Sequence, residues 1–173
     1  VFGRIWTEAA LARGDRVVAT ARKLSALDDL VAEYGDRILP VALDVTDRAA
    51  VFAAVKQAHA HFGRLDVVIS NAGFGIFGAI EEAGIEDIRA NFETNVFGTL
   101  NLIQAVLPIL RAQGSGHIIP VSSGAGLIGV PNAGIYNGAK FAVEGIGEAL
   151  AAEVAGFGIK VTLIEPGAYA TNF

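Results

Sequence analysis

Five short apolar segments, each of strand length and each continuous rather than alternating, restrict the fold of this chain more than any other feature. They lie at residues 16–21, 38–43, 65–70, 117–122 and 160–165. Continuous apolar strands are typical of a parallel sheet, because helices cover both faces of such a sheet. Apolar residues at three- and four-residue spacing predict helices between the strands, over 3–13, 24–34, 47–62, 85–112 and 133–156. The alternation predicts a doubly wound α/β fold with helices on both faces.

Local signals refine these helix boundaries. Thr46 precedes the helix predicted at 47–62 and is a preferred N-cap residue, so we expect it to cap that helix. Pro108 lies inside the predicted helix 85–112, where a proline removes a hydrogen-bond donor. An irregularity is therefore expected near Pro108.

Length and composition narrow the class of protein. The 173 residues suffice for one domain, so residues 1–173 are predicted to form a single one. Hydrophobic residues make up 53% and charged residues 18%, a balance that excludes disorder. The net charge of −5 argues against a nucleic-acid partner. Cysteine is absent, which excludes disulfide and thiolate chemistry.

Neither a metal site nor a membrane partner is predicted. The three histidines (His59, His61 and His117) belong to no grouping with metal-ligand spacing. No apolar run reaches transmembrane length, and the start of the sequence lacks the apolar region of a secretory signal. The expected location is the cytoplasm.

Small or polar residues follow every predicted strand. In open parallel sheets, ligands bind beyond the carboxyl ends of the strands, so these residues are candidates for a binding site. Polar loops are common in any protein, which leaves a purely structural explanation open. The candidates are Ala21, Arg22, Lys23, Asp44, Val45, Asn71, Ala72, Gly73, Ser122, Ser123, Pro166 and Gly167.

Arg22 bears on the choice of a dinucleotide. At the end of the second strand of a dinucleotide-binding fold, an acidic residue binds the ribose 2′-hydroxyl of NAD, whereas an arginine accommodates the 2′-phosphate of NADP. Arg22 and Lys23 stand there and no acid does, which favours NADP over NAD. A solvated surface charge is the alternative explanation.

Tyr136 and Lys140 lie four residues apart on one predicted helix and therefore share a face. An unperturbed tyrosine has a pKa of about 10, and a nearby ammonium group lowers the pKa by favouring the phenolate. The pair could thus act as an acid–base group. A lysine that snorkels to solvent beside a half-buried tyrosine explains the same spacing.

Six motifs in order resemble the short-chain dehydrogenase/reductase family, in its single-domain branch. They are "LDVTD" (43–47), "SNAG" (70–73), "ETNVFG" (93–98), "VSS" (121–123), "YNGAK" (136–140) and "PGAYAT" (166–171). The resemblance covers essentially all of residues 1–173. It implies a Rossmann-type domain that binds NAD(P) and carries its own catalytic residues. The implied activity is hydride transfer between the nicotinamide and a carbonyl or alcohol substrate.

The resemblance also implies roles for individual residues. The family places its catalytic serine thirteen positions before its tyrosine, which selects Ser123 over Ser122. The implied catalytic residues are Ser123, Tyr136, Lys140 and Asn95. The implied cofactor-binding residues are Gly3, Arg22, Asp44, Val45, Asn71, Ala72, Gly73, Tyr136, Lys140, Pro166, Gly167 and Thr171, with Thr171 near the nicotinamide amide.

The sequence departs from the family pattern at both ends. Of the family's glycine-rich loop only the last glycine, Gly3, has a counterpart. The family's first strand lies at the centre of the sheet, and it would precede residue 1. The last strand and the substrate-covering helix would follow residue 173. The chain is therefore expected to be part of a longer protein, truncated at both ends.

Other functions and details remain open from the sequence. A nucleotide-sugar epimerase or dehydratase also uses the Tyr-x-x-x-Lys pattern, and a non-catalytic NADP-binding regulatory protein could share the fold. The loops at 73–78 and 124–134 are apolar, which hints at a small or apolar carbonyl or alcohol substrate. Small residues in the helices at 85–112 and 133–156 are consistent with a homodimer or homotetramer, as in the family.

Overall fold

The strands of the protein, seen in a computed structural model that describes residues 2–167, form two parallel sheets. Strands β1 (Val17–Ala21) and β2 (Ile38–Ala42) pair with each other, Val17 opposite Ile38. The second sheet has the order β3-β4-β5, from β3 (Val67–Ser70), β4 (Gly116–Pro120) and β5 (Ile159–Val161). Parallel strands alternating with helices confirm the predicted Rossmann-type α/β fold class.

Within residues 2–167, six α-helices connect or flank the strands. They are α1 (Phe2–Ala12), α2 (Asp28–Tyr34), α3 (Arg48–Phe62), α4 (Ile85–Phe92), α5 (Gly98–Gln113) and α6 (Gly134–Val154). The predicted helix at 24–34 begins as a 3₁₀ turn, Leu24–Leu27. None of the helices within residues 2–167 combines the length and apolarity needed to cross a membrane.

The N-cap of α3 is Asp47, so the prediction for Thr46 was wrong. The Asp47 side chain accepts a hydrogen bond from the Ala50 backbone N–H at 2.9 Å. The Thr46 hydroxyl instead donates to Asp44 Oδ1 at 2.7 Å. The Thr46 hydroxyl, which was predicted to cap α3, is therefore hydrogen-bonded to Asp44 instead.

The irregularity in the long helical segment lies at Glu93–Phe97, a π-helical turn between α4 and α5. Pro108 lies inside α5, which continues past it, so the predicted position of the irregularity was wrong. A π turn inserts one extra residue into a helix and is frequent at functional sites. Here it carries Asn95, whose Nδ2 donates to the backbone oxygens of Phe74 and Asn91 at 2.9 Å each.

Two clusters of buried apolar side chains hold these elements together. The larger cluster joins the helices α3, α5 and α6 to the second sheet, and the smaller joins α1 and α2 to the first. Burial of each such side chain stabilises the fold by roughly 1.5–3 kcal/mol. The larger cluster includes Val51, Ile103, Val106, Leu110, Ile118, Leu150 and Val154, and the smaller consists of Leu11, Ala19, Leu27, Leu30 and Ile38.

Strands β1 and β3 share no partner strand within the described residues. On β3, the side chains of Val67 and Ile69 are 55% and 39% exposed, which is unusual for apolar residues of a parallel sheet. The expectation that a further strand of the longer protein lies between β1 and β3 stays a prediction.

Candidate active site

The carboxyl ends of β3 and β4 bring three of the predicted segments to one edge of the second sheet. Ser70 ends β3 opposite Pro120 of β4, so residues 71–73 and 121–123 leave the sheet side by side. The Gly124 N–H donates to the Pro166 carbonyl at 3.1 Å, which joins the third segment to the same edge. These are the strand ends at which a ligand is expected.

Helix α6 presents Tyr136 and Lys140 to this edge, with only 7% and 5% of their surfaces exposed. Lys140 Nζ donates to the Val121 carbonyl at 2.8 Å and lies 5.7 Å from the centre of the Tyr136 ring. The ammonium group is thus held inside the protein and does not extend to solvent. This geometry excludes the snorkelling explanation of the sequence pattern.

The environment of Lys140 opposes its positive charge. Burial lowers the pKa of Lys140 from its ordinary value to about 8, and the negative charge of Glu144 partly offsets that effect. Desolvation disfavours the charged form of any buried amine, which is the physical cause. Lys140 therefore loses its proton at a pH much closer to neutral than an exposed lysine does.

The pKa of Tyr136 is raised rather than lowered in the folded protein. Burial is the main cause, and a hydrogen bond with Ser123 acts in the opposite direction. The expectation that the pKa of the tyrosine is lowered is therefore not met. The desolvation of the phenol outweighs its hydrogen bond with Ser123.

Of the two candidate serines, Ser123 is the one that contacts Tyr136. Its Oγ also accepts a hydrogen bond from the Ala125 N–H at 3.1 Å, which fixes the side chain at the start of the turn Gly124–Gly126. Ser122 is 3% exposed, and its Oγ has no hydrogen-bond partner among residues 2–167. The geometry thus separates two residues that the sequence could rank only by spacing.

Gly73 brings the backbone close to Asn95 and Lys140. A β-carbon at this position would contact Asn95 Oδ1 and would lie 3.5 Å from Lys140 Nζ. Asn95 is 1% exposed, and its Oδ1 has no hydrogen-bond partner in the part of the chain that the structure describes. A buried acceptor of this kind fits a ligand or water that donates a hydrogen bond there.

Close backbone approach also occurs where α1 begins. A β-carbon on Gly3 would lie 2.9 Å from Asn71 Nδ2, so the start of α1 sits directly beside the end of β3. Glycine at such a position lets backbone N–H groups approach a phosphate. Gly3 and Asn71, two of the predicted cofactor-binding residues, therefore lie side by side.

The remaining predicted binding residues lie at other strand ends. Two hydrogen bonds from Thr46 lower the pKa of Asp44, with a smaller effect from the charge of Arg22. The Val45 carbonyl accepts from Asn101 Nδ2 at 3.1 Å. Arg22 and Ala72 are exposed, as is Gly167 beside the half-buried Pro166. Thr171 lies outside the described residues.

Two loops with exposed apolar side chains flank the site. The Gly78 N–H donates to the Asn132 carbonyl at 2.8 Å, which ties the loops together. The ring of Phe77 lies 6.2 Å from that of Tyr136, centre to centre. The exposed side chains are Phe74, Phe77 and Ile80 on one loop, and Leu127, Ile128 and Val130 on the other.

A comparison with protein families matches residues 2–173 to the short chain dehydrogenase family. An oxidoreductase of Botryotinia fuckeliana (BOA17) is 52% identical over 173 residues, and a 3-ketodihydrosphingosine reductase of Bacteroides thetaiotaomicron is 42% identical over 172. Each alignment covers 99% of this chain, and 63% and 61% of the respective relative. The chain belongs to the short-chain dehydrogenase family. It spans less than two thirds of the length of these two relatives.

Solved structures of short-chain dehydrogenases agree with this assignment. A short-chain dehydrogenase from Streptomyces avermitilis superposes with a TM-score of 0.96 at 45% identity, covering 100% of this chain and 64% of its own. ElxO with NADP bound gives 0.91 at 30% identity, covering 95% and 68%. A member from Burkholderia phymatum in complex with NAD gives 0.91 at 30%, covering 96% and 61%.

Three residues of this short-chain dehydrogenase site were not found from the sequence. Phe77 contacts Tyr136, and Asn137 contacts the loop at 124–130. Both contacts depend on the conformation of a loop, which the periodicity of a sequence does not predict. Glu144 did carry a signal. It lies four residues after Lys140 on the same face of α6, the spacing that had singled out the lysine itself.

Proposed function

We propose that the protein is an NADP(H)-dependent oxidoreductase that transfers a hydride between the nicotinamide and an apolar carbonyl or alcohol substrate. One observation carries the proposal: Tyr136 and Lys140 lie buried on one face of α6, with Ser123 hydrogen-bonded to the tyrosine. A nicotinamide cofactor would supply the hydride. The chain's own residues would bind and orient the substrate and the cofactor, and would donate or accept the proton.

Each residue has a distinct part in the proposed reaction. In reduction, the Tyr136 hydroxyl donates its proton to the substrate oxygen, and Ser123 donates a hydrogen bond to the same atom. Lys140, as an ammonium ion, stabilises the phenolate that the tyrosine leaves behind. Asn95 Oδ1 is the buried acceptor that would hold a water molecule next to Lys140. General acid–base catalysis of this kind contributes roughly 10²–10⁴-fold.

A Tyr136→Phe variant tests the acid–base assignment. The ring remains and the proton donor is lost, so kcat/KM of the full-length protein should fall by roughly 10²–10⁴-fold. Cofactor affinity, followed by NADPH fluorescence, should stay within about threefold. Tyr34→Phe, on the remote helix α2, is the matched control and should retain full activity. Activity close to wild type in Tyr136→Phe would remove the tyrosine from the mechanism.

Arg22 supports the choice of NADP. It follows β1 at an exposed position, and among residues 2–167 its side chain makes no hydrogen bond or ion pair. Related structures bind NADP in one case and NAD in another, so the family allows either. A contact between Arg22 and the 2′-phosphate, which NADP carries and NAD lacks, would favour NADP.

Arg22→Ala should weaken NADPH binding about tenfold or more and leave NADH binding unchanged. Arg64→Ala is the control, and equal effects on both cofactors would contradict the assignment.

The apolar loops support an apolar substrate. Phe77 lies beside Tyr136, and the neighbouring exposed side chains are large and apolar. One relative is named a 3-ketodihydrosphingosine reductase. With a series of linear ketones, each added methylene should raise kcat/KM by up to about fourfold. Phe77→Ala should flatten that dependence. A preference for polar sugar ketones would point to another substrate class.

A further inference from the structure

Glu144 is a buried acidic residue that the proposed reaction does not use. It lies one helical turn after Lys140 on the inner face of α6 and is 8% exposed. Its Oε1 is fully enclosed and has no hydrogen-bond partner within the described residues. A buried carboxylate oxygen without a partner is costly, so its presence next to Lys140 calls for an explanation.

Close packing holds Glu144 in place. A β-carbon on Gly126 would lie 3.0 Å from Glu144 Cγ, 2.8 Å from Ser122 Oγ and 3.1 Å from the Lys140 carbonyl. The backbone of the turn Gly124–Gly126 thus covers the side chain and keeps water from one of its oxygens. The Glu144 side chain is therefore enclosed between α6 and this turn.

Other charged groups around Lys140 have less influence on it. The elements packed against α6 carry several titratable residues: Glu86, Asp87 and Arg89 on α4, Glu93 in the π turn, and Lys160 on β5. On α6 itself, the other residues with ionisable side chains are Tyr136, Glu148 and Glu153. Among all of these neighbours, Glu144 is the charged group that raises the pKa of Lys140.

Glu144 acts across a gap rather than through a salt bridge. No ion pair within 4.0 Å joins it to Lys140 in the described part of the chain, and Lys140 Nζ donates to the Val121 carbonyl instead. Coulomb interactions at longer range are still effective where the dielectric constant is low. A counter-charge placed this way leaves the remaining protons of Nζ available for other partners.

We propose that Glu144 is a positioning residue: its buried negative charge, one turn from Lys140, keeps that lysine protonated in the active site. The inference rests on the proposed function only in taking Lys140 as the cation that the reaction needs. Without Glu144, burial would act on the lysine unopposed, and its charge would be lost nearer to neutral pH.

The direct test follows the Lys140 ammonium group by NMR of protein labelled with ¹⁵N-lysine, with assignment by Lys140→Arg. In Glu144→Gln, and in Glu144→Met as a second neutral variant, Lys140 should release its proton at a lower pH than in wild type. Glu144→Asp, which keeps the charge, should restore most of the difference. Glu148→Gln, an exposed carboxylate one turn further along α6, is the matched control. Identical titration of Lys140 in the wild type and both neutral variants would overturn the proposal.

Kinetics give a second readout that a merely structural role would not produce. The pH dependence of kcat/KM reports groups of the free enzyme. The activity of Glu144→Gln should match wild type near pH 6, fall progressively behind it as the pH approaches 8, and converge again once the lysine is neutral in both. A loss of the same factor at every pH would overturn the proposal. Absence of any nicotinamide-dependent activity in wild type would instead contradict the proposed function, while the NMR titration still decides the role of Glu144.

Discussion

At the scale of single residues, Lys140 carries its charge where burial opposes it. Its pKa falls from 10.5 to about 8 in the folded protein, so between these values the unfolded chain binds more protons than the folded one. Stability therefore rises with pH across this window, and the full penalty is present below pH 8. The wild type should gain up to about 3 kcal/mol relative to Lys140→Met between pH 8 and pH 10.5.

Urea unfolding of both proteins at a series of pH values measures this difference. Lys56→Met, an exposed substitution on α3, is the control and should follow the wild type at every pH. A constant difference between Lys140→Met and wild type from pH 7 to pH 10 would show that the lysine is not desolvated. Burial of the charged lysine thus lowers the free energy of unfolding at a position that the proposed function needs.

Gly126 is a second residue whose identity the packing dictates. A methyl group there would meet Ser122 Oγ at 2.8 Å and the Lys140 carbonyl at 3.1 Å, and the latter belongs to a helix backbone that resists displacement. Gly126→Ala should destabilise the protein by about 1–3 kcal/mol. Gly129→Ala is the matched control, because nothing lies within 4 Å of its position. Equal midpoints of thermal unfolding for the two variants would contradict the packing argument.

At the scale of elements, Asn137 connects α6 to the loop that borders the site. Its Nδ2 donates to the carbonyls of Ala125 and Ile128 at 2.7 and 2.9 Å, and its Oδ1 accepts from the Val130 N–H at 3.1 Å. Asn137→Ala leaves these backbone groups unpaired and should cost about 2–3 kcal/mol. Hydrogen exchange at the Val130 amide should accelerate, whereas Gln57→Ala on α3 should change neither quantity. Unaltered exchange at Val130 would mean that the loop is held by other contacts.

The elements also show where sequence patterns lose their power. The strand-length runs located the five strands of residues 2–167 to within a few residues, because continuous apolar sequence reflects burial directly. The π turn at Glu93–Phe97 was missed and an irregularity at Pro108 was expected instead. A proline is visible in the sequence, but a π turn is produced by tertiary contacts such as those of Asn95 with the Phe74 carbonyl.

At the scale of the whole molecule, the exposed aromatic side chains of α6 and of the π turn before α5 bear on assembly. Phe97 and Phe141 are 48% and 46% exposed, and large exposed aromatic residues are enriched at interfaces between proteins. A homodimer or homotetramer through these helices remains our prediction. Phe141→Glu should shift the full-length protein to a smaller species in light scattering after size-exclusion chromatography. Leu24→Glu, an exposed apolar residue outside these helices, should not, and an unchanged mass for Phe141→Glu would place the interface elsewhere.

The sequence alone determined the α/β class, the order of strands and helices and the pairing of Tyr136 with Lys140, since burial and helical periodicity act locally along the chain. Only the tertiary structure decided the electrostatic state of that pair. Burial raises the pKa of the tyrosine, opposite to the first expectation, and lowers that of the lysine, because desolvation depends on everything packed around a group. The structure likewise supplied the contact of Ser123 with Tyr136, and it packed the turn at Gly126 against Glu144, through contacts between segments distant in sequence.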